Sequence, residues 1–255
     1  MLPKTITIDC MGNQFLVFDK PDTITDHLRY NGGHDSWLEY YSIIILSDAI
    51  DGTVLDVGAN VGSYAVPLAK RFKHLNFYSF EPQRIVFYQL CANAVINGLE
   101  NLRPVNKGLG DEQVEIEVTT PDYTTETNVG AFSLDAEVHE KNNQCSSQGM
   151  LEKIQIDRLD DYEFHDIRLI KIDVEGLEMA VIKGGLENIK ANNYPPIIFE
   201  TWSIMDWYQE RRNELLKYVE SLGYQITTFG DNCIAQHKSK KIIKWLNQDN
   251  VKENS

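Results

Sequence analysis

The chain has 255 residues, of which 42% are hydrophobic and 24% charged, so it is long enough for one large domain with a substantial core. This composition argues against collagen, coiled coil and wholesale disorder. Lys and Arg number 24 against 38 Asp and Glu, which gives a formal charge of −14. Such an acidic balance disfavours binding to nucleic acid or to an anionic membrane surface.

No stretch of the sequence has the features of a secretion signal or a membrane span. The first ten residues hold no apolar run of signal length, and the longest apolar cluster, residues 43–46, ends at Ser47. The cysteines are far apart and form no C-x-x-C pair, which argues against a zinc site and a disulfide-dense secreted fold. They are Cys10, Cys91, Cys145 and Cys233. We therefore expect a cytoplasmic protein.

The first 50 residues are predicted to form a β-hairpin followed by a helix. Residues 4–18 contain two β-rich runs separated by Gly12 and Asn13, a pair typical of a hairpin turn. After a polar stretch that includes His34, residues 37–50 have helical character, and Asp51 and Gly52 end the helix.

From residue 53 onward, strands alternate with helices. We predict helices over 61–72 and 85–97, and strands over 53–57, 76–80, 102–106, 169–174, 197–200, 224–229 and 233–237. This alternation indicates an α/β protein whose mostly parallel sheet is covered by helices on both faces. The last two strands are joined by a short turn, so one antiparallel strand is expected at or near an edge.

Residues 113–157 interrupt this alternation. Strands are predicted over 114–118 and 154–157, with a polar stretch over 119–150 between them. A connection that long is uncommon in a compact domain and is usually either functional or disordered. Two interpretations stay open: a mobile surface insertion, or a loop that covers the substrate.

The segment from Asp56 to Gly62, D-V-G-A-N-V-G, joins a buried strand to a helix. Glycine permits a tight turn and close approach to a ligand, and the helix N-terminus offers free N–H groups. Such a turn lies at the carboxyl ends of the strands, where open sheets bind ligands. Asn60 and Ser63 break the G-x-G-x-x-G pattern of dinucleotide-binding proteins, and no Gly-Lys-Ser/Thr follows, so a P-loop is excluded.

Glu81 follows the second strand of this alternation, 25 residues after Asp56. A carboxylate at this place can accept hydrogen bonds from both hydroxyls of a ribose. Taken alone, such a residue is more often a helix cap or part of a solvated turn, but its distance from the glycine-rich turn favours the ribose-binding interpretation.

A third motif, L-I-K-I-D-V-E-G-L-E, places Lys171, Asp173 and Glu175 on one side of an otherwise apolar strand. Charges there are costly to bury unless they are paired or used in chemistry. The alternatives are a structural pair between Lys171 and Asp173, and an active-site cluster, which we favour. Two nearby carboxylates could also bind a divalent cation, but the lysine makes a metal less necessary, so we predict no metal site.

Together these three motifs resemble the FkbM family of S-adenosylmethionine-dependent methyltransferases. K-I-D-V-E-G is the specific part of the resemblance, and N-V-G-A-F-S at 128–133 is similar to a further stretch of the family. The resemblance implies a Rossmann-like, seven-stranded, mostly parallel sheet with a reversed last strand. It divides the chain into a preamble (1–50), a catalytic sheet (51–237) with the strand-rich insertion 113–157, and a tail (238–255).

The resemblance also implies roles for particular residues. The methionine end of S-adenosyl-L-methionine would be held by the glycine-rich turn, the ribose by Glu81, and the adenine would lie near Asn106. Asp173 and Glu175 would line the reaction centre, where Asp173 also meets the cofactor, with Lys171 and Glu200 close behind. The residues implied in the glycine-rich turn are Asp56, Gly58, Asn60 and Gly62. For His34 a surface loop is favoured over a functional role.

The implied reaction is methyl transfer to a hydroxyl of a small molecule, sugar or glycan, with Asp173 or Glu175 as general base. A metal that polarises the hydroxyl is the other chemical option. Two different functions stay open: a non-catalytic scaffold that binds the cofactor or a nucleotide, and a nicotinamide-dependent oxidoreductase, which the broken glycine pattern disfavours. Aromatic side chains that could border the acceptor are Tyr123, Phe132, Trp202, Trp207 and Tyr208.

Overall fold

The computed structural model describes residues 2–32, 36–125, 128–141, 149–240 and 243. As predicted, the chain begins with a hairpin, but its turn lies one residue earlier than expected. Met11 and Gly12 form the turn with φ angles of 52° and 79°, and Cys10 pairs with Asn13 across it. Two successive positive φ angles give a turn whose twist matches that of the flanking strands. His34 lies outside the described residues.

Strands and helices then follow one another along the chain. The strands are β1 (Thr5–Cys10), β2 (Asn13–Phe18), β3 (Thr53–Val57), β4 (Asn76–Phe80), β5 (Leu102–Val105), β6 (Gly108–Gly110), β7 (Val114–Thr119), β8 (Leu151–Arg158), β9 (Ile167–Ile172), β10 (Ile197–Glu200), β11 (Tyr224–Phe229) and β12 (Asn232–His237). The helices are α1 (Thr23–Tyr30), α2 (Ser36–Leu46), α3 (Ala65–Arg71), α4 (Arg84–Ile96), α5 (Ala136–Lys141), α6 (Glu178–Gly184), α7 (Leu186–Ala191) and α8 (Gln209–Ser221).

The structure differs from the predicted elements at helix ends, in helices α5 to α8, which were not predicted, and at β9. Strand β9 ends at Ile172, so Asp173 and Glu175 lie in the turn after the strand and not on it. Strands β3, β4, β10 and β11 have the predicted bounds, whereas α2 ends at Leu46 and α3 starts only at Ala65.

Helix α1 was not predicted. It begins because the Asp22 carboxylate accepts hydrogen bonds from the N–H groups of Ile24 and Thr25, each at 3.2 Å. Such a cap satisfies donors that the first helical turn leaves free.

The central sheet has seven strands in the order β11-β12-β10-β9-β3-β4-β5. Neighbouring strands are parallel except at β12, which runs antiparallel to both β10 and β11. The last strand of the chain is therefore the reversed one, and it lies next to the edge strand β11. This arrangement confirms the predicted Rossmann-like α/β fold.

Both faces of the sheet are buried. On β3, Val54 packs with the hairpin and helices α2, α3 and α4, whereas Leu55 and Val57 pack with α6, α7 and α8 on the opposite face. All five residues of β3 are buried, as expected for a central parallel strand. Burying each large apolar side chain contributes about 1.5–3 kcal/mol, so this strand is a rigid base for the residues at its end.

The insertion forms a second, three-stranded sheet in the order β6-β8-β7. Strand β8 is parallel to β6 and antiparallel to β7, with Val114 opposite Ile156. Both predicted strands of this region are present, and the polar stretch between them contains a short 3-10 turn at Val129–Ala131 and helix α5. The described part of that stretch therefore contains helical turns whose apolar residues Val129 and Val138 are buried.

The tail is described only to residue 240 and at Ile243. Ile243 is buried and exchanges two hydrogen bonds with the side chain of Gln236 on β12. Within the described ranges, no helix has both the length and the apolar character needed to cross a membrane.

Candidate active site

A cavity of about 260 Å³ opens at the carboxyl ends of β3, β4, β9 and β10. The turns after these strands supply most of its wall, as expected for an open parallel sheet. Seven residues singled out from the sequence line it: Gly58, Asn60, Glu81, Lys171, Asp173, Glu175 and Glu200. Three others, Asp56, Gly62 and Asn106, are described by the structure but are not part of the wall.

The turn after β3 requires glycine at its first position. Gly58 has φ +78°, and a Cβ built there would lie 1.7 Å from the carbonyl oxygen of Asp173. The N–H groups of Gly58 and Ala59 both donate to the carbonyl oxygen of Phe80, at 3.0 and 2.9 Å. This turn is therefore fixed to the end of β4 on one side and to the end of β9 on the other.

Gly62 has a packing role instead. Its φ is +87°, and a Cβ there would lie 2.8 Å from Cδ1 of Leu90 on α4. The residue lets the chain pass close to α4, and it does not line the cavity.

Glu81 stands at the end of β4 with its carboxylate held by the backbone. Its two oxygens accept hydrogen bonds from the N–H groups of Asn60 (2.9 Å) and Gln83 (2.8 Å). Burial raises the pKa of Glu81 to about 7, although these two donors favour the charged form. Asn106 supports the same segment from outside, since its Nδ2 donates to the carbonyl oxygens of Glu81 (2.8 Å) and Pro82 (3.1 Å).

Lys171 connects two carboxylates on neighbouring strands. Its Nζ lies 3.3 Å from Oδ1 of Asp56 and 3.3 Å from Oδ2 of Asp173, and it donates to the carbonyl oxygen of Gly58 at 2.9 Å. Asp56 is fully buried, and Ser79 donates to its Oδ2 at 3.3 Å. Burial raises the pKa of Asp56, and the ammonium of Lys171 opposes that shift. Asp56 therefore holds Lys171 in place from behind the cavity wall.

An acidic cluster lies at one end of the cavity. Asp173, Glu175 and Glu200 each contribute a carboxylate oxygen, and these oxygens lie within 4.8 Å of one another. Burial and the Asp173 and Glu178 carboxylates raise the pKa of Glu175 well above its usual range. Burial and the neighbouring carboxylates raise the pKa of Glu200 to about 10. The cluster therefore retains at least one proton at neutral pH, because like charges this close cannot all ionise.

Glu178 is a buried acid to which the sequence analysis gave no role. Its Oε1 accepts hydrogen bonds from the N–H groups of Val174 (3.2 Å) and Gly176 (3.1 Å), and Tyr208 donates to Oε2 at 3.3 Å. Burial raises the pKa of Glu178 to about 7. Its position at the start of α6, where the turn after β9 leaves N–H groups free, was the available signal.

The insertion and helix α1 complete the wall. The insertion contributes Gly130, Phe132 and their neighbours, and α1 contributes Thr23 and Ile24. Of the aromatic residues considered for the acceptor, Phe132 lines the cavity. Trp202 and Tyr208 instead pack with Val138 of α5 in a separate apolar cluster, to which Trp207 is adjacent. Tyr123 is buried, and its hydroxyl donates to Oε1 of Gln83 at 3.4 Å.

The side chains that line the cavity fit the cofactor that the resemblance implies. The Glu81 carboxylate can accept from ribose hydroxyls, and Phe80, Pro82 and Leu109 give apolar wall suited to adenine. The carboxylate of Asp173 suits a cationic end. The acidic cluster is also the one group, within the described ranges, whose spacing could hold a metal ion.

The sequence matches the family model described as Methyltransferase FkbM domain over residues 56–226. A curated relative, "Methyltransferase 1" of Beauveria bassiana (strain ARSEF 2860), is 25% identical over 151 residues, which cover 52% of this chain and 58% of that protein. The match thus spans less than two thirds of that relative's length.

Two solved structures are similar in fold. Methyltransferase FkbM from Methylobacillus flagellatus KT has a TM-score of 0.49 at 18% identity, over 83% of this chain and 52% of that chain. M. jannaschii TYW2, solved in complex with AdoMet, has a TM-score of 0.44 at 15% identity, over 92% of this chain and 84% of that chain. Because the family model covers more than half of the chain and includes all three motifs, this chain belongs to the FkbM methyltransferase domain family.

Proposed function

We propose that this protein is an S-adenosylmethionine-dependent O-methyltransferase that acts on a hydroxyl group of a small molecule, sugar or glycan. The observation that carries the proposal is the acidic cluster of Asp173, Glu175 and Glu200 at one end of a cavity whose other residues suit the cofactor. A hydroxyl is a weak nucleophile, and carboxylates next to it can accept its proton during attack.

In this proposal, different residues at one end of the cavity bind different parts of the cofactor. Glu81 would bind the ribose, and the turn at Gly58 and Asn60 would bind the methionine end. S-adenosyl-L-methionine supplies an activated sulfonium methyl group, so the protein mainly holds the acceptor oxygen in line with it. Lys171 fixes Asp173 at the cavity wall through its 3.3 Å ion pair, which makes that carboxylate a rigid element of the site.

At the acceptor end, Asp173 or Glu175 would take the hydroxyl proton. Both residues line the cavity, and the raised pKa of Glu175 makes its ionised form a stronger base than an ordinary glutamate. A divalent cation bound by the cluster would be the alternative way to activate the hydroxyl. We do not favour it, because the Lys171 ammonium already neutralises charge at Asp173.

The test is transfer of radiolabelled methyl groups to a panel of glycans and hydroxylated small molecules. We expect Asp173→Asn to lose about 10²- to 10⁴-fold in turnover, the range typical of a general base, and to retain cofactor affinity by calorimetry. Asp51→Asn is the control, since Asp51 is exposed and pairs with Arg168 near the amino ends of β3 and β9, whereas the cavity is at their carboxyl ends. Normal turnover in Asp173→Asn would refute its catalytic role, and loss of turnover with EDTA would favour the metal.

The methyl-transfer assay separates this proposal from a non-catalytic scaffold, which would bind the cofactor without turnover. A ligand comparison separates it from a nicotinamide-dependent oxidoreductase. We expect S-adenosyl-L-methionine to raise the melting temperature and NADH to leave it unchanged. A shift with NADH alone would contradict the proposed function.

A further inference from the structure

Ser133 of the insertion is fully buried beside the acidic cluster. Its hydroxyl donates to the carbonyl oxygen of Glu175 at 2.6 Å and accepts a hydrogen bond from the N–H of Asp135 at 3.0 Å. A hydroxyl that both donates and accepts in this way has a fixed direction. Ser133 therefore forms a polar connection between the insertion and the backbone of the candidate reaction centre.

The backbone of Glu175 needs such support. Its φ is +55°, in the left-handed region that disfavours residues with a Cβ. Glycine would adopt this conformation at little cost, yet the chain has glutamate here and places glycine at the next position. A residue held in a disfavoured conformation persists only where its surroundings fix it, and such residues concentrate at active sites.

The turn is held from two sides. Glu178 accepts hydrogen bonds from the N–H groups of Val174 and Gly176, so it fixes the amides that flank Glu175. Ser133 fixes the carbonyl of Glu175 itself. The position of Ser133 is fixed in turn because Asp135 pairs with Arg211 of α8 at 2.8 Å.

We infer that Ser133 is a positioning residue for Glu175: it holds the left-handed backbone that directs the Glu175 carboxyl into the cavity. The insertion would thereby contribute to the catalytic machinery, a role different from the substrate-covering loop considered from the sequence. This inference rests on the proposed function, because it assigns Ser133 a role in the reaction through Glu175.

The experiment compares Ser133→Ala with Thr120→Val. Thr120 is buried at the base of the insertion; its hydroxyl donates to the carbonyl oxygen of Met150 at 3.1 Å and accepts from the N–H of Met150 at 3.3 Å. Its variant therefore removes, like Ser133→Ala, a hydroxyl that both donates and accepts within the insertion, but away from the cavity. We expect Ser133→Ala to lower kcat by about 2- to 13-fold, the value of one hydrogen bond, with cofactor affinity unchanged. Ser133→Cys, with a weaker donor of similar size, should fall between Ser133→Ala and the unmodified protein.

A double-mutant cycle separates positioning from a general structural effect. In the Glu175→Gln background, Ser133→Ala should cause no further change in kcat, because the residue it positions no longer acts. An equal loss in both backgrounds would overturn the inference, as would equal losses in Ser133→Ala and Thr120→Val.

Hydrogen exchange gives a readout that does not depend on turnover. Amides of residues 173–178 should exchange about 2- to 13-fold faster in Ser133→Ala and at the original rate in Thr120→Val. Unchanged exchange in Ser133→Ala would refute the positioning role. If the unmodified protein transferred no methyl group to any acceptor, the proposed function would fail, whereas the exchange result would still decide whether Ser133 holds the turn.

Discussion

Replacing Lys171 with methionine tests the charge arrangement behind the cavity. The ammonium lies 3.3 Å from a carboxylate oxygen of Asp56, which is fully buried. At an effective dielectric constant of about 20, one such contact amounts to about 5 kcal/mol of attraction, much of which offsets the cost of burial. Removing the lysine leaves Asp56 without its cation, so we expect Lys171→Met to lose about 3–5 kcal/mol of unfolding free energy at pH 8.

The loss should depend on pH with a definite sign. Burial already raises the pKa of Asp56, and without Lys171 it rises further above the unfolded value of about 3.9. Between the unfolded and the folded pKa of Asp56, the folded variant binds more protons than the unfolded chain, so its unfolding free energy falls as pH increases over this range. Urea unfolding should therefore show a smaller difference from the unmodified protein at pH 5 than at pH 8.

Two further variants complete the test. Lys171→Met combined with Asp56→Asn removes the buried charge and should recover much of the loss at pH 8. Lys153→Met breaks a surface ion pair between Lys153 (67% exposed) and Glu115 (44% exposed) and should change the unfolding free energy little, because exposed pairs are screened by water. A loss equal at both pH values, or no recovery in the double variant, would refute the reasoning.

Two predictions concern other buried acids. Glu81→Gln should weaken binding of S-adenosyl-L-methionine by at least about tenfold in calorimetry, because a charged hydrogen-bond acceptor is lost. The control Glu115→Gln should leave the affinity unchanged. If Glu81→Gln bound the cofactor as tightly as the unmodified protein, Glu81 would not be part of the binding site. The pKa of Glu178 is about 7 in the folded protein against about 4.3 unfolded, so its contribution to stability is complete below pH 4 and is lost as pH rises through 7. Between pH 4 and pH 8 the unfolding free energy should therefore fall by on the order of 3 kcal/mol less in Glu178→Gln than in the unmodified protein. An equal fall in the two proteins, measured by urea unfolding at a series of pH values, would contradict this.

The central sheet was predictable because its strands are short apolar runs between clear turn signals. Strand β3 is an example: five buried residues stand between Gly52 and the turn at Gly58. Helix α1 was missed because its buried face rests on Ile24 and Leu28, too few apolar residues to produce a periodic signal. Helix α5 was missed for a similar reason, since it has six residues and buries Val138.

The candidate site was predictable where a residue follows directly on a strand. Glu81 and Asp173 follow directly on β4 and β9, and Glu200 is the last residue of β10. All three reach the cavity because parallel strands end at one edge of the sheet. Asp56 lies one residue before the end of β3, so its side chain meets Ser79 and Lys171 on neighbouring strands instead. Sequence spacing alone does not distinguish these two outcomes.

The part of the site formed by the insertion could not be located from the sequence. Its position depends on contacts between distant residues: the N–H of Val129 donates to the carboxylate of Asp22 at 3.3 Å, across 107 positions of the chain, and Gln83 donates to the carbonyl oxygen of Val129 at 3.2 Å. Local patterns of hydrophobicity carry no information about such pairings.

The contact between Asp22 and Val129 also bears on how the protein folds. Residues that line the cavity range from Thr23 to Asn232, so the binding site is complete only after almost the whole chain has assembled. Contacts of such high sequence separation form slowly, since long loops must close before any of them is made. A ligand bound here therefore stabilises the assembled chain as one unit, by about 2.7 kcal/mol at a hundredfold excess over its dissociation constant. Newly synthesised chains would gain this protection against unfolding and proteolysis late, when the preamble, the sheet and the insertion have all come together.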